Sequence, residues 1–488
     1  MRRWLMGAGG LVVLGAAVIA MRTATFAPAA VADAADIKVA AAPAFDTAAA
    51  AQHLSAAVRF QTVSHQDPAE NQLAEWDKLH SWLAATYPHA HAAMRRDTLG
   101  KALLYTWPGS DPAAQPIIVM AHQDVVPVTA GTEKDWKHAP FAGEVAEGAV
   151  WGRGSIDDKG SLVSLFEAIE ALAAHGFHPR RTVYLVSGHD EEAGGTGAAA
   201  IAQALAAQKV KALFAIDEGG LIANDTPMVN GPAMMVGIAE KGYVTLKVSA
   251  PAAGGHSSTP PKETGVINLA KALIAINDHP FPLELRGPTE GMVEVLAARA
   301  GGMAKMAVAN RWLFGSMVLG KMAAAPASAA MLHTTIAPTM LQGSPKENVL
   351  PQSANGLINY RIAPWDSSAK VLERAAGAVK GMPVTVAFTD RAAREPSPVS
   401  STSSPGWKLV SAAAMADRPG VPVAPYLVVA GTDGRSMSGV ADDVYRFQAI
   451  AMTTPETKMI HGTNEHMTLA NLESLIRYYA RLIATAAG

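Results

Sequence analysis

Five short stretches of this chain gather the residue types that hold cations or move protons. His122-Gln123-Asp124 closes an apolar run. Side chains two apart on an extended chain point to one face, so the Asp124 carboxylate can sit beside the His122 imidazole. That pairing suits a metal-bound imidazole whose second nitrogen is oriented by an acid. Gly152-Arg153-Gly154-Ser155-Ile156-Asp157-Asp158-Lys159-Gly160 is a glycine-rich turn that delivers two carboxylates to the start of a helix. Alone, Asp157 or Asp158 reads equally well as an N-cap, and the spacing matches neither a Walker loop nor a dinucleotide fingerprint. His189-Asp190-Glu191-Glu192 sets four titratable groups in a row, whose mutual repulsion needs water or cations to offset it. Neighbouring carboxylates there allow one to bind metal while the other serves as general base; a solvated acidic loop is the alternative. Asp217-Glu218-Gly219-Gly220 adds acid in the same setting, and Ile460 to His466 supplies an imidazole, His461, just before the final helix. Singly these read as caps or surface groups; together they point to a site for two cations.

The elements that must position these groups follow from periodicity. Ile117–Met120, Thr182–Val186, Ala212–Ile216 and Tyr426–Val429 are short apolar runs of the kind buried on both faces, separated by helical stretches such as Lys159 to His175 and Gly195 to Ala207. Alternation of this kind predicts an α/β fold with a mostly parallel central sheet, and the polar groups follow the C-terminal ends of the first three runs, where ligands gather in such sheets. From Tyr243 the pattern changes to half-exposed alternation and then to a β-α-β-β-α-β order, the ferredoxin-like layout of an inserted lid. The expected division is a leader over 1–43, a discontinuous catalytic domain over 44–242 and 391–488, and a lid over 243–390. Residues 281–328, Met- and Ala-rich, read as a helical insertion carried on that lid, either plainly packed or lining an apolar site.

Composition narrows the chemistry. Lys and Arg number 40 against 42 Asp and Glu, a net charge of −2, so nothing argues for a nucleic-acid partner. The chain has no cysteine, which removes disulfides, thiolate nucleophiles and sulfur-ligated metal. No Gly-x-Ser-x-Gly elbow occurs in a strand-to-helix setting, against a serine hydrolase. Arg2 and Arg3 precede an apolar run from Trp4 to Met21, and Ala32-Asp33-Ala34 offers a small-x-small cleavage site. The expectation is an export signal that is removed, with a retained N-terminal membrane anchor as the alternative. Either places the folded chain outside the cytoplasm, periplasmic, secreted or anchored.

With these motifs in this order, residues 45 to 488 resemble the two-zinc metallopeptidases that include carboxypeptidase S, aminoacylase and N-fatty-acyl-amino-acid synthase/hydrolase. The likeness is greatest to the carboxypeptidase S branch, through Trp136 to Phe141, Trp151 to Gly160, Pro179 to Gly195 and Ile460 to Glu465. The resemblance implies two Zn²⁺ ions per subunit, with Co²⁺ or Mn²⁺ as substitutes. It implies His122 and Asp217 on one ion, Glu192 and His461 on the other, and Asp157 between them, followed by a cis peptide to Asp158. Glu191 matches the general base and Asp124 the acid that orients His122. From the lid, His256 matches an oxyanion-stabilising histidine, supplied by the neighbouring subunit in dimeric relatives. Asn348 and Arg361 match the grip on a substrate carboxylate, although a structural salt bridge would equally occupy Arg361. The implied activity is hydrolysis of the amide bond of a small peptide or an N-acyl amino acid bearing a free carboxylate, with a fatty-acyl substrate as one alternative and a catalytically inactive metal-binding protein as another. The resemblance also allows a homodimer through the lid.

Overall fold

The computed structural model describes residues 2–29, 34 and 36–488. The expected cleavage site at Ala32-Asp33-Ala34 lies outside the described residues apart from Ala34. An N-terminal helix, α1 (Arg2–Thr25), precedes the body, which opens with α2 (Thr47–Arg59). Asp46 caps α2 by accepting from the Ala48 and Ala49 amides, and Ala50, Leu54, Ala57 and Val58 form its buried stripe. The large sheet then begins with β1 (Arg95–Leu99), β2 (Ala102–Trp107) and β3 (Ile117–Met120). It continues through α3 (Lys159–Ala174), β4 (Val183–Ser187), α4 (Thr196–Ala207) and β5 (Phe214–Asp217). Next come β6 (Ile222–Thr226) and β7 (Gly231–Glu240).

A second, four-stranded antiparallel sheet follows. It comprises β8 (Gly242–Pro251), β9 (Thr335–Gln342), β10 (Ser353–Ile362) and β11 (Thr385–Phe388) in the order β9-β10-β8-β11. Helices α5 (Gly265–Asn277) and, later, α9 (Ser368–Ala378) bury Leu269, Ala272, Val371 and Ala375 against it. Between α5 and β9 run α6 (Pro288–Ala300), α7 (Gly302–Ala309) and α8 (Arg311–Ala323). The chain returns to the large sheet through α10 (Pro405–Asp417), β12 (Val423–Val428), β13 (Val444–Arg446), β14 (Ala451–Met452) and the closing helix α11 (Leu469–Ala487).

The large sheet has ten strands in the order β1-β2-β4-β3-β5-β13-β7-β6-β14, with β12 beside β7. Its centre is parallel: β3 pairs with β4 and β5, and β5 with β13. Alternation splits β3 between two cores. Ile117 and Val119 face α2, α3, α10 and α11, while Ile118 and Met120 face α4. This is the α/β fold with a mostly parallel sheet that the periodicity predicts.

One placement differs. The Met-rich insertion was expected on the lid, yet α6 packs Met292, Val293, Val295 and Leu296 against Ala233 and Met235 of β7 and Ala424 of β12, on the large sheet. The reason is burial: the apolar face of the lid sheet is already covered by α5 and α9, while Ala233, Met235 and Ala424 of the large sheet are buried beneath α6.

Lys241 joins the two sheets, between β7 and β8. Its ammonium donates to the carbonyls of Ala330 and His333, each at 2.8 Å, tying the end of the insertion to the crossing point. Burial lowers its pKa from 10.5 to about 7. Between those values the unfolded chain holds a proton that the folded chain does not, so stability should rise with pH there; below about 7 the penalty is complete and constant. Denaturant unfolding of wild type and Lys241→Met across this window should show the wild type gaining on the variant as pH rises. A difference that does not move with pH would refute the shift.

Candidate metal centre and active site

The sequence-predicted groups converge at the C-terminal edge of the large sheet. His122 lies two residues beyond β3, Glu191 and Glu192 follow β4, Asp217 ends β5, and Asp157 sits in the turn before α3. The Asp157 carboxylate lies between two imidazoles: Oδ1 is 2.9 Å from His122 Nε2 and Oδ2 is 3.0 Å from His461 Nε2. His461 Nε2 is also 2.9 Å from Glu192 Oε1. The Asp157–Asp158 peptide is cis, as the resemblance implied.

Three sets of donor atoms come close enough together to hold an ion: His122, Asp157 and Glu218; His122, Glu191 and Glu192; and Asp157, Glu192 and His461. Glu218, and not the expected Asp217, joins His122 and Asp157. Successive side chains at a strand end point to opposite sides, and Asp217 turns to a different partner, accepting from the Gly434 amide at 2.5 Å.

Asp124 does more than orient a histidine. Its Oδ1 lies 3.3 Å from His122 Nδ1, which also faces the Asp124 carbonyl at 3.0 Å. The same carboxylate accepts from the amides of Glu191 and Glu192, each at 3.1 Å, and from Ser64 Oγ. It therefore holds the acid pair and the imidazole in one frame.

Glu465 was not singled out for a role by the sequence, and it is fully buried. Its carboxylate accepts from Arg153 Nη1 at 2.7 Å and from the amides of Gly154, Ile156 and Asp157 at 3.0, 2.9 and 3.1 Å. Arg153 in turn donates to the carbonyls of His461 and Gly462, at 3.1 and 2.8 Å. One buried ion pair thus fixes the Asp157 turn to the His461 loop. Asp158, also buried, accepts from the His122 amide and from Gln448 Nε2, at 3.2 and 2.8 Å. The only sequence trace of the first of these networks is an acid four positions after His461.

The electrostatics are those of a site short of positive charge. Loss of water around its carboxyl pushes Glu191 well above the usual range, with Asp433, Glu192 and Asp124 adding repulsion against His122. Burial does the same to Glu218, reinforced by Asp157 and Asp158. Burial opposes protonation of His122, yet hydrogen bonds to Asp124 and Asp157 hold it well above its ordinary value. Hydrogen bonds to Asp157 and Glu192 raise His461 to about 10. Among the described residues no Lys or Arg pairs with Asp157, Glu191, Glu192 or Glu218 within 4.0 Å. Imidazole and carboxylate donors without a cationic side chain form a set that fits divalent metal.

The lid residues lie apart from this cluster. His256 and Asn348 share one short ribbon, in which Gly255–His256 pairs with Val349–Leu350 and the Ser257 amide donates to the Asn348 carbonyl. Both are exposed, and the His256 ring contacts Ser258. Arg361, on β10, lies with its guanidinium 4.9 Å from the Tyr243 ring centre, and among the described residues no carboxylate forms an ion pair with it. Asp190, within the acidic run, caps α4 through the Thr196 and Gly197 amides and takes no part in the cluster.

A mostly parallel sheet with histidines and carboxylates gathered at its edge defines a metal-dependent hydrolase of the peptidase and amidohydrolase type, and the comparisons agree. Residues 118–485 match Peptidase family M20/M25/M40. A probable carboxypeptidase S-like 2 from Dictyostelium discoideum is 32% identical over 440 residues, 89% of this chain and 84% of that one. The human N-fatty-acyl-amino acid synthase/hydrolase PM20D1 is 34% identical over 388 residues, 78% and 76% of the two chains. Among solved structures, the M20 family metallo-carboxypeptidase Sso-CP2 from Sulfolobus solfataricus aligns with a TM-score of 0.63 at 16% identity, covering 90% and 99%. The chain belongs to peptidase family M20/M25/M40.

The Arg153–Glu465 pair yields a stability test. Glu465→Ala would leave Arg153 buried without its charge partner, at a cost of about 3–5 kcal/mol. Denaturant unfolding should show that loss; a change within about 0.5 kcal/mol, typical of surface sites, would contradict the pairing.

Proposed function

We propose that the chain is a two-zinc hydrolase that cleaves the amide bond of peptides or N-acyl amino acids bearing a free carboxylate. One observation carries the reading: the Asp157 carboxylate presents one oxygen to each of two imidazoles. That disposition supports Asp157 as the ligand shared by two ions, with His122 and Glu218 on one side and Glu192 and His461 on the other. Asp217, named by the resemblance, is better suited to holding the Gly434 loop. Cobalt or manganese would be accepted by the same donors.

Two ions bound here would offset the carboxylates, polarise a substrate carbonyl and acidify water. The chain's own groups do the rest. Glu191, its proton affinity raised by its surroundings, takes a proton from the attacking water and hands it to the leaving amine. Asp124 keeps that base and His122 in register. Arg361, which pairs with no carboxylate among the described residues, is suited to the substrate's terminal carboxylate, with Asn348 and His256 contributed by the lid, from the same or a neighbouring subunit. A fatty-acyl amino acid is the second reading of the substrate, supported by the name of the human relative. The basic, apolar N-terminus supports export from the cytoplasm; among the described residues no helix is long and apolar enough to cross a membrane.

Glu191→Gln should retain two equivalents of zinc and lose about 10²- to 10⁴-fold in turnover of its best substrate. That substrate would be found by screening dipeptides and N-acyl amino acids against their carboxylate-blocked esters. Activity unaffected by the substitution would dismiss the mechanism, and no turnover by the zinc-loaded wild type would favour an inactive metal-binding protein. Metal analysis separates the two neighbouring acids: Glu218→Ala should lose one equivalent of zinc while Asp217→Asn keeps both. The reverse pattern would restore Asp217 as the ligand.

A further inference from the structure

The ladder between β5 and β13 ends in a break. Up to Asp217 and Arg446 the two strands pair in parallel register. Beyond that point the neighbouring amides of Phe447 and Gln448 donate to carbonyls three residues apart, those of Asp217 and Gly220, each at 2.8 Å. Two residues on one side thus span four on the other, and Glu218 and Gly219 bulge out between the two bonds. Glycine is built into the break: Gly219 has a φ of 99°, and a Cβ on Gly220 would meet the carbonyl oxygens of Arg446 and Met235 at 2.3 Å. Such a break re-aims the side chain it carries, here Glu218, whose donor atom gathers with those of His122 and Asp157.

The residue that closes the bulge also reaches the rest of that donor set. Gln448 is buried, and its Nε2 donates to Asp158 Oδ1 at 2.8 Å and to Ser161 Oγ, in the first turn of α3, at 2.7 Å. The second oxygen of Asp158 accepts from the His122 amide at 3.2 Å. Asp158 itself directly follows Asp157 in the turn. The backbone of Gln448 therefore fixes the loop of Glu218, while its side chain, through one carboxylate, fixes the neighbour of Asp157 and the backbone of His122. A neutral amide suits this place, because it offers two N–H groups to two acceptors and adds no charge to a crowd of acids. The remaining donors are held from elsewhere: the Glu192 amide by Asp124, and the His461 carbonyl by Arg153.

We infer that Gln448 is a positioning residue for one ion of the pair, the one held by His122, Asp157 and Glu218, and that it sets how tightly that ion is bound. The inference rests on the two-ion reading of this centre. Zinc titration of the full chain against a chromophoric chelator tests it. Wild type should hold two equivalents, and Gln448→Met should keep one unchanged while binding the other about 10- to 100-fold more weakly, the effect of losing a group that orients metal ligands. Gln448→Glu, of the same shape but without the donors, should do likewise. In Glu192→Ala, which should keep only the ion beside His122, adding Gln448→Met should weaken the ion that is left by the same factor. In Glu218→Ala, the same addition should leave the remaining ion unchanged. A general loosening of the fold would weaken both ions alike and would overturn the inference, as would Gln448 variants that hold both ions as tightly as wild type. A wild type that binds fewer than two ions fails the two-ion reading and takes this inference with it, so the two failures are told apart before any variant is made.

Discussion

Like charges crowded at one edge of a sheet are the constraint under which the rest of the structure is arranged. Asp157, Glu191, Glu192 and Glu218 approach one another, and among the described residues two histidines are their only ion-pair partners able to carry positive charge. Such a cluster is costly unless cations occupy it, and it persists only where backbone and buried hydrogen bonds leave the side chains no alternative. The fold provides this restraint from beneath. Parallel strands β3, β4 and β5 end side by side, so the residues that follow them must meet. The turn carrying Asp157 is gripped through three of its amides by a single buried acid.

Much of this was legible in the residues themselves. Buried parallel strands write continuous apolar runs, so β3, β4 and β5 and the polar groups after them could be located by eye. The Gly-rich turn and the paired acids after β4 announced a site because repulsion among them needs a reason. Other features were not legible, for identifiable causes. Asp217 and Glu218 are neighbours of one chemical type, and which of them faces His122 depends on where the strand ends, to within a single residue. The insertion leaves from the lid but packs on the large sheet, a choice set by free apolar area on β7 and β12 that no local pattern records. Glu465 lies more than three hundred residues from Arg153, and buried pairing at that separation leaves no periodic trace.

The lid stands in a different relation to the chemistry. Its sheet is antiparallel with its own core, and one of its connections to the large sheet is the step from Glu240 to Gly242, where Lys241 is anchored on two carbonyls. His256 and Asn348 share one exposed ribbon, whereas Arg361 sits on a central lid strand under Tyr243. Groups held on one short ribbon move together, so what they contribute is set by the position of that ribbon as a whole.

The double duty of Asp124 has a consequence for how such a site can change. A carboxylate that steadies an imidazole with one hand and two backbone amides with the other couples parts of the centre that chemistry would treat as separate. Substitutions at the histidine and at the acid pair will not act independently, because each is felt through the same anchor. Drift toward a new metal preference would therefore drag the proton-transfer geometry along with it. Diversification is easier in the walls around the centre than in the centre itself.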